Sequence, residues 1–277
     1  AAAGMLLAAV GVRGGRDPDA PSPDWFGGAL ATAGLGLLIW GLTLATSGGD
    51  HGLAYAVGGL AFGAVFLWWE QRLGDDAMVP LALFGTARFT ALTVLTFLLY
   101  AALSGVLLLL PYLLISTDWA ATSAGTALLP LPVIMAVGSR AAAAIAERVG
   151  AHWLLATGSV VTGLGFALMR TIPSGEIDFV IHVLPAMSLV GIGMTMAVAP
   201  LTTAAIAAAD QHHAGAASGV NSATARIGGM VAVSLIGLVL VEGGSGVSIE
   251  AFHTAVLAAA AASIIAGVAG WLSAAPE

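Results

Sequence analysis

Arg226 is the residue of this chain whose chemistry most demands a reason. It stands about ten residues into the apolar run Ala216–Val241, roughly 15 Å along a helix that rises 1.5 Å per residue. A guanidinium in hydrocarbon costs about 2.5–3.5 kcal/mol or more. It therefore needs a partner, a wet cavity or a route to an interface. At about 100° per residue, Ser218, Asn221, Ser222, Arg226 and Gly229 share one arc of about 140°. Such a stripe offers hydrogen-bonding groups to the polar part of a small molecule. It serves equally well to let an arginine snorkel to the inner interface or brace a neighbouring helix.

A second polar constellation is Glu147, Arg148 and Gly150. An acid and a base at the mouth of a helix bundle latch helix ends in one state and release them in another. The alternative is an exposed pair worth less than about 1 kcal/mol. Pro130, Pro132, Pro185 and Pro200, with Pro111, lie in or near the ends of apolar runs. Each removes a backbone hydrogen bond and bends a helix, as a hinge or as a static kink. Gly215 and Gly219 have the small-xxx-small spacing of a close helix crossing.

What is missing narrows the chemistry further. Cysteine is absent, so thiol catalysis and cysteine metal sites are excluded. No two histidines have the i, i+4 spacing of a metal pair, and no metal or cofactor is expected. No Asp or Glu lies in the middle of an apolar run: Glu70, Asp178, Glu242 and Glu250 are all terminal. All eight basic residues are arginine and the net charge is −7, which gives no basic surface for nucleic acid.

These residues must be held by membrane helices. Hydrophobic residues make up 59% of the 277 and charged ones 8%, against roughly 25% charged in a soluble domain. A spanning helix needs about 20 apolar residues, and eight segments qualify: Trp25–Thr46, Leu53–Trp69, Phe89–Ile115, Ala121–Ala143, Trp153–Ile172, Phe179–Thr203, Ala216–Val241 and Ile249–Trp271. Runs of this length without alternating polarity exclude a porin-type barrel. Arg13 and Arg16, Arg72 and Arg88, and Arg140 and Arg148 fall in connections that share one side if every segment spans once; the opposite loops hold only Arg170. The positive-inside rule makes the arginine-rich side cytoplasmic, and with it the C-terminus. Trp25, Trp68, Trp69, Trp119, Trp153 and Trp271 fall at segment ends, where indole favours the headgroup level, whereas Trp40 lies inside the first segment.

The region Ala124 to Pro130 and Pro132, followed by Ala144, Glu147, Arg148, Gly150, Ala151 and His152, resembles the major facilitator superfamily. The family's loop motif runs Gly-x-x-Asp-Arg-x-Gly and then a basic pair. Glu147, Arg148 and Gly150 match it in type; Ala144 replaces the first glycine, and Ala151 and His152 replace the basic pair. Pro185, Gly191, Gly193, Pro200, Gly215, Gly219, Asn221, Arg226, Gly228 and Gly229 extend the likeness to the fourteen-helix drug:proton antiporter branch. Pro80 to Phe84, Arg88 and Phe89 fit that branch too.

The resemblance implies an all-α polytopic membrane protein, comprising the C-terminal six-helix bundle of a major facilitator fold plus two linker helices. Residues 1–12 would be the end of a truncated transmembrane helix, 13–24 a cytoplasmic linker and 25–69 the two linker helices. Residues 70–88 would be a cytoplasmic loop, 89–272 the six-helix bundle and 273–277 a cytoplasmic tail. The implied function is secondary transport: proton-coupled efflux of small amphiphilic or drug-like compounds through the plasma membrane by alternating access. Ser218, Asn221, Ser222 and Arg226 would face the substrate. The implied partners are the lipid bilayer, a small-molecule substrate, protons and the N-terminal half of the same transporter, which in this family carries the coupling acid. Two alternatives stay open: a transporter fragment or scaffold without activity, and a membrane-embedded enzyme. The latter would need an acidic or zinc-binding cluster that the sequence lacks.

Overall fold

The structure is a computed structural model, and it describes residues 24–209, 213–240 and 247–273. Expectations for residues 1–12, for the linker before Asp24, for Glu242 and for the tail after Ser273 lie outside the described residues. The described residues are helical with no strand among them. The helices are α1 (Trp25–Thr46), α2 (Gly52–Leu73), α3 (Ala87–Ser116), α4 (Ala121–Thr126), α5 (Pro130–Val149), α6 (Ala151–Leu168), α7 (Leu184–Ala207), α8 (Ala214–Leu240) and α9 (Ile249–Leu272). Seven helical stretches, α4 and α5 counted as one, are long and apolar enough to cross a membrane. The 27-residue α8 is about 40 Å long at 1.5 Å per residue, ample for a crossing. The chain is thus a multi-pass membrane protein.

Local chemistry sets the helix ends. The side chains of Asp24, Thr86, Asp178 and Ser248 accept the backbone N–H of Gly27, Phe89, Ile181 and Ala251 at 2.9, 3.3, 2.9 and 3.1 Å, each satisfying a donor that a helix start leaves open. The fourth segment is divided where the sequence suggested one helix. α4 ends at Thr126, and α5 restarts with Pro130 in its first turn. Pro130 and Pro132 therefore sit in the first turn of α5, where a missing N–H removes no ladder bond, whereas Pro185 follows a π-helical turn, Phe179–Val183, that starts at the Asp178 cap and runs straight into α7. Of the four proline kinks expected in the fourth and sixth segments, Pro200 alone is interior to its helix, as Pro111 is in α3.

Two other boundaries move. α2 continues past Trp69 to Leu73, and α5 continues to Val149, so Arg140, Glu147 and Arg148 are helical rather than in a loop. The whole α5–α6 connection is Gly150, with φ 95° and ψ 137°, a conformation that strains any residue with a Cβ. The stretch Ala121–Val149 has 29 residues, about 43 Å. That exceeds a hydrocarbon core of about 30 Å, so its end carries Arg140 and Arg148 towards the headgroups.

Packing does not follow chain order. α5 packs on α7, α7 on α6, α6 on α9, α9 on α3, and α3 on α8. α8 also meets α7 and α1, and α1 carries α2 on its outer side. Leu95, Leu99, Leu110, Leu114, Phe166, Met187, Phe252 and Val256 are buried at the centre. Lipid tails are as apolar as leucine, so helices here gain from close approach rather than from escaping water. A Cβ on Gly158 of α6 would stand 2.7 Å from the Ala197 nitrogen of α7, and one on Gly193 would run into the Thr162 nitrogen. Gly41 and Gly59 serve α1 and α2 in the same way, against the Ala56 and Leu38 nitrogens.

The helix ends sort by charge. Arg88, Glu147, Ala151 and Ala207 border one pocket of about 270 Å³, so the starts of α3 and α6 and the ends of α5 and α7 share a side. The Trp271 ring meets Trp153 with centroids 4.5 Å apart, which brings the end of α9 to that side. Arg170 lies elsewhere, its Nη1 donating to His253 Nδ1 at 2.9 Å while His253 Nε2 donates to the Ile172 carbonyl at 2.9 Å. Glu70, terminal in its segment, is nonetheless fully buried: its Oε2 accepts the Val79 N–H at 2.7 Å and pins the connection to α3.

Candidate functional site

A cavity of about 700 Å³ opens where α1, α3, α7 and α8 converge. Its polar lining comes from Thr43 of α1, Tyr100 and Ser104 of α3, Thr202 of α7, and Asn221, Ser222, Arg226 and Ser234 of α8. Ile39, Ala225, Gly229, Met230 and Val233 complete the wall. Arg226 lies twelve residues from the start of α8 and Tyr100 thirteen from the start of α3, about 18–20 Å in at 1.5 Å per residue. α3 starts on the arginine-rich side, and Ala217 and Val220 near the start of α8 cluster with Phe89 near the start of α3, so both helices start there and the two groups meet near half depth.

Each wall is fixed by a specific contact. α8 approaches α3 through Gly228 and Gly229, where an added Cβ would lie 2.5 Å from the Phe97 carbonyl oxygen and 2.7 Å from Ser104 Oγ. Beside this crossing, Thr96 Oγ1 lies 2.8 Å from both the Leu92 carbonyl and the Asn221 side-chain amide. One hydroxyl proton serves one acceptor. The hydroxyl donates to Asn221 Oδ1 as the side chain stands; with the amide turned over, it donates to Leu92 and accepts from the Asn221 NH₂. Asn221 is 9% exposed, so it braces α3 against α8 and reaches the cavity with one edge. α1 meets α8 at Thr46, whose Oγ1 lies 3.0 Å from both the Ser234 carbonyl and the Thr43 carbonyl of its own helix, so its one proton is shared between the two. Ser234 turns its own hydroxyl back to the Met230 carbonyl at 2.6 Å.

Of the expected stripe, Asn221, Ser222 and Arg226 meet in this cavity, and Ser218, one turn earlier, is not among its lining. Arg226 is exposed to the cavity. Among the described residues it has no hydrogen-bond or ion-pair partner, and no carboxylate lines the same wall. Among the described residues no helix crosses at Gly215 or Gly219: none of their atoms lies within 4 Å of a Cβ added at either. The crossing is made about two and a half turns beyond Gly219, by Gly228 and Gly229.

Glu147 and Arg148 do not pair among the described residues. Adjacent positions on a helix point about 100° apart, and Glu147 turns into the pocket bordered by Arg88. Gly150 stands at the expected turn, and a Cβ there would lie 2.9 Å from the His152 ring. Pro200 lines the same pocket as Glu147 and Arg88. Sequence reasoning overlooked Thr43, Tyr100 and Ser104. The signal for the last two was present: Thr96, Tyr100 and Ser104 recur every four residues in an otherwise apolar run, which puts them on one face.

No family model matches the chain. It is 28% identical over 232 residues to the probable actinorhodin transporter of Streptomyces coelicolor, covering 80% of this chain and 40% of that protein. It is 29% identical over 178 residues to the multidrug resistance protein Stp of Mycobacterium tuberculosis, covering 64% of this chain and 32% of that one. An uncharacterized MFS-type transporter of the same species is 26% identical over 216 residues, 75% of this chain and 36% of the relative. The chain spans about two fifths of the length of the curated relatives it matches. The relatives are transporters and drug-resistance proteins, one of them of the major facilitator type, in keeping with the resemblance carried by the motifs.

Proposed function

We propose that this chain, a homologue of major facilitator drug-resistance transporters, forms one six-helix bundle and the preceding helix pair of a secondary transporter. The bundle runs from α3 to α9, and α1 and α2 are the linker pair. The transporter exports small amphiphilic, drug-like compounds across the plasma membrane, with the arginine-rich side and the C-terminus in the cytoplasm. A second bundle closes the open side of the cavity and carries the proton-binding acid. The two bundles rock about a site near mid-depth, the arrangement that alternating access requires. The chain carries out no chemical conversion.

The observation that carries this reading is the half-depth cavity itself. A membrane bundle gains nothing from a tyrosine, an asparagine, hydroxyls and an unpaired arginine around a shared void unless water or a polar ligand enters it. Apolar walls with a few placed polar groups suit greasy molecules bearing one polar end. The pocket holding Arg88, Glu147 and Pro200 lies on the cytoplasmic side of that void, where an acid and a base on different helices act as a gate between states. Coupling by protons rests on the family likeness.

The test is export from inverted membrane vesicles made from cells expressing the full-length reading frame that carries this chain. An imposed proton gradient is expected to drive accumulation of unmodified drug-like compounds, and an uncoupler to abolish it. Accumulation indifferent to the gradient would remove proton coupling; none for any of a broad set of compounds would remove transport.

A further inference from the structure

The charge pattern of the cavity names the kind of compound it takes, an inference that rests on the transport reading above. We infer that the exported compounds carry an anionic group, a carboxylate or an acidic phenol, and that the Arg226 guanidinium receives it.

Three observations converge. Arg226 lies at half depth, exposed into a void of about 700 Å³. Among the described residues its charge is unanswered: no hydrogen bond or ion pair reaches it, and the lining contains no Asp or Glu. The donors around it suit an anion as well, since Tyr100 and Ser222 have hydroxyls and Asn221 an amide. Interactions between charges strengthen as water is excluded. An unanswered cation in such a site attracts an anion and repels another cation. Its planar fork matches a carboxylate in two parallel hydrogen bonds.

The alternative is that the guanidinium is answered by an acid of the second bundle and serves coupling or assembly. The two differ in what they do to selectivity. An assembly or coupling role changes the export of all compounds by one factor. An anion receptor changes the ratio between charged and uncharged forms of one molecule.

The experiment measures export of pyrenebutyrate, its methyl ester and a trimethylammonium analogue of the same chain length by the full-length protein in inverted vesicles. The wild type is expected to favour the carboxylate. In R226Q the ratio of carboxylate to ester export is expected to fall by about tenfold or more, the worth of a charge-assisted hydrogen bond. R226K, which keeps the charge, is expected to retain part of that ratio. The wild-type preference among the three probes stands as a test even if R226Q does not reach the membrane. A wild type that exports the trimethylammonium compound as well as the carboxylate would overturn the inference while leaving transport intact. So would an R226Q protein in which all three rates fall by the same factor. Failure to export any probe or any drug-like compound would overturn the transport reading and this inference with it.

Discussion

Asn221 shows how one side chain serves both fold and site. Its amide meets Thr96 at 2.8 Å between α3 and α8 and presents an edge to the cavity. Buried polar groups in a membrane bundle are worth about 0.6 to 2 kcal/mol per interhelical hydrogen bond. Asn221→Leu is therefore expected to destabilise the protein by about 1 kcal/mol, and Thr96→Val by a similar amount. Because the two share one contact, the double variant should lose less than the sum. Thermal unfolding in detergent measures this; strict additivity would show that the pair does not interact. The spacing of Arg226, Asn221 and Ser222 on one helix was legible from the sequence because helical periodicity is local. Their meeting with Tyr100, Ser104 and Thr43 was not, because it depends on which helices cross. Arg226 itself was legible because hydrocarbon makes an arginine conspicuous, whereas threonine, serine and tyrosine are common there.

Seven of the eight apolar segments each hold one long helix and the fourth holds two, since a bilayer forbids unpaired backbone and leaves the chain few choices. Their ends were less legible. α5 runs on to Val149 because Ala144, Ala146 and their neighbours are good helix formers even where the hydrocarbon ends. The fourth segment broke before Pro130, which leaves Pro130 and Pro132 in a first turn where their missing N–H groups cost no ladder bond, unlike Pro111 and Pro200 inside their helices. Helix pairing was hidden altogether: α5 joins α6 through a single glycine yet packs on α7. Gly215 and Gly219 illustrate the difficulty, since small spacing marks a face able to approach a neighbour without telling whether a neighbour is there. The arrangement of ends has a direct test. The chain lacks cysteine, so Asp76→Cys and Asp118→Cys each introduce a single thiol. A membrane-impermeant maleimide is expected to label Asp118→Cys in intact cells and Asp76→Cys only in inverted vesicles. Labelling of both from one side would break the alternation of helices.

At the scale of the whole molecule, α3 and α8 cross closely at Gly228 and Gly229 and, beside that crossing, border a void together with α1 and α7, while α6 and α9 are drawn into the core. Proteins avoid unfilled polar voids unless something enters them, so an open polar face on one bundle calls for a second bundle and a passenger between. That is the central claim, and the side from which the void is reached tests it most directly. A single cysteine at Ser104, in full-length protein from which any cysteine outside this cysteine-free chain has been replaced, is to be reacted with an impermeant thiol reagent. The reagent is applied from each side of the membrane, with and without an exported compound. The account predicts labelling that changes side when the proton gradient is reversed and slows when the compound is present. A thiol unreactive from both sides, or reactive at a rate that neither gradient nor compound alters, would contradict it.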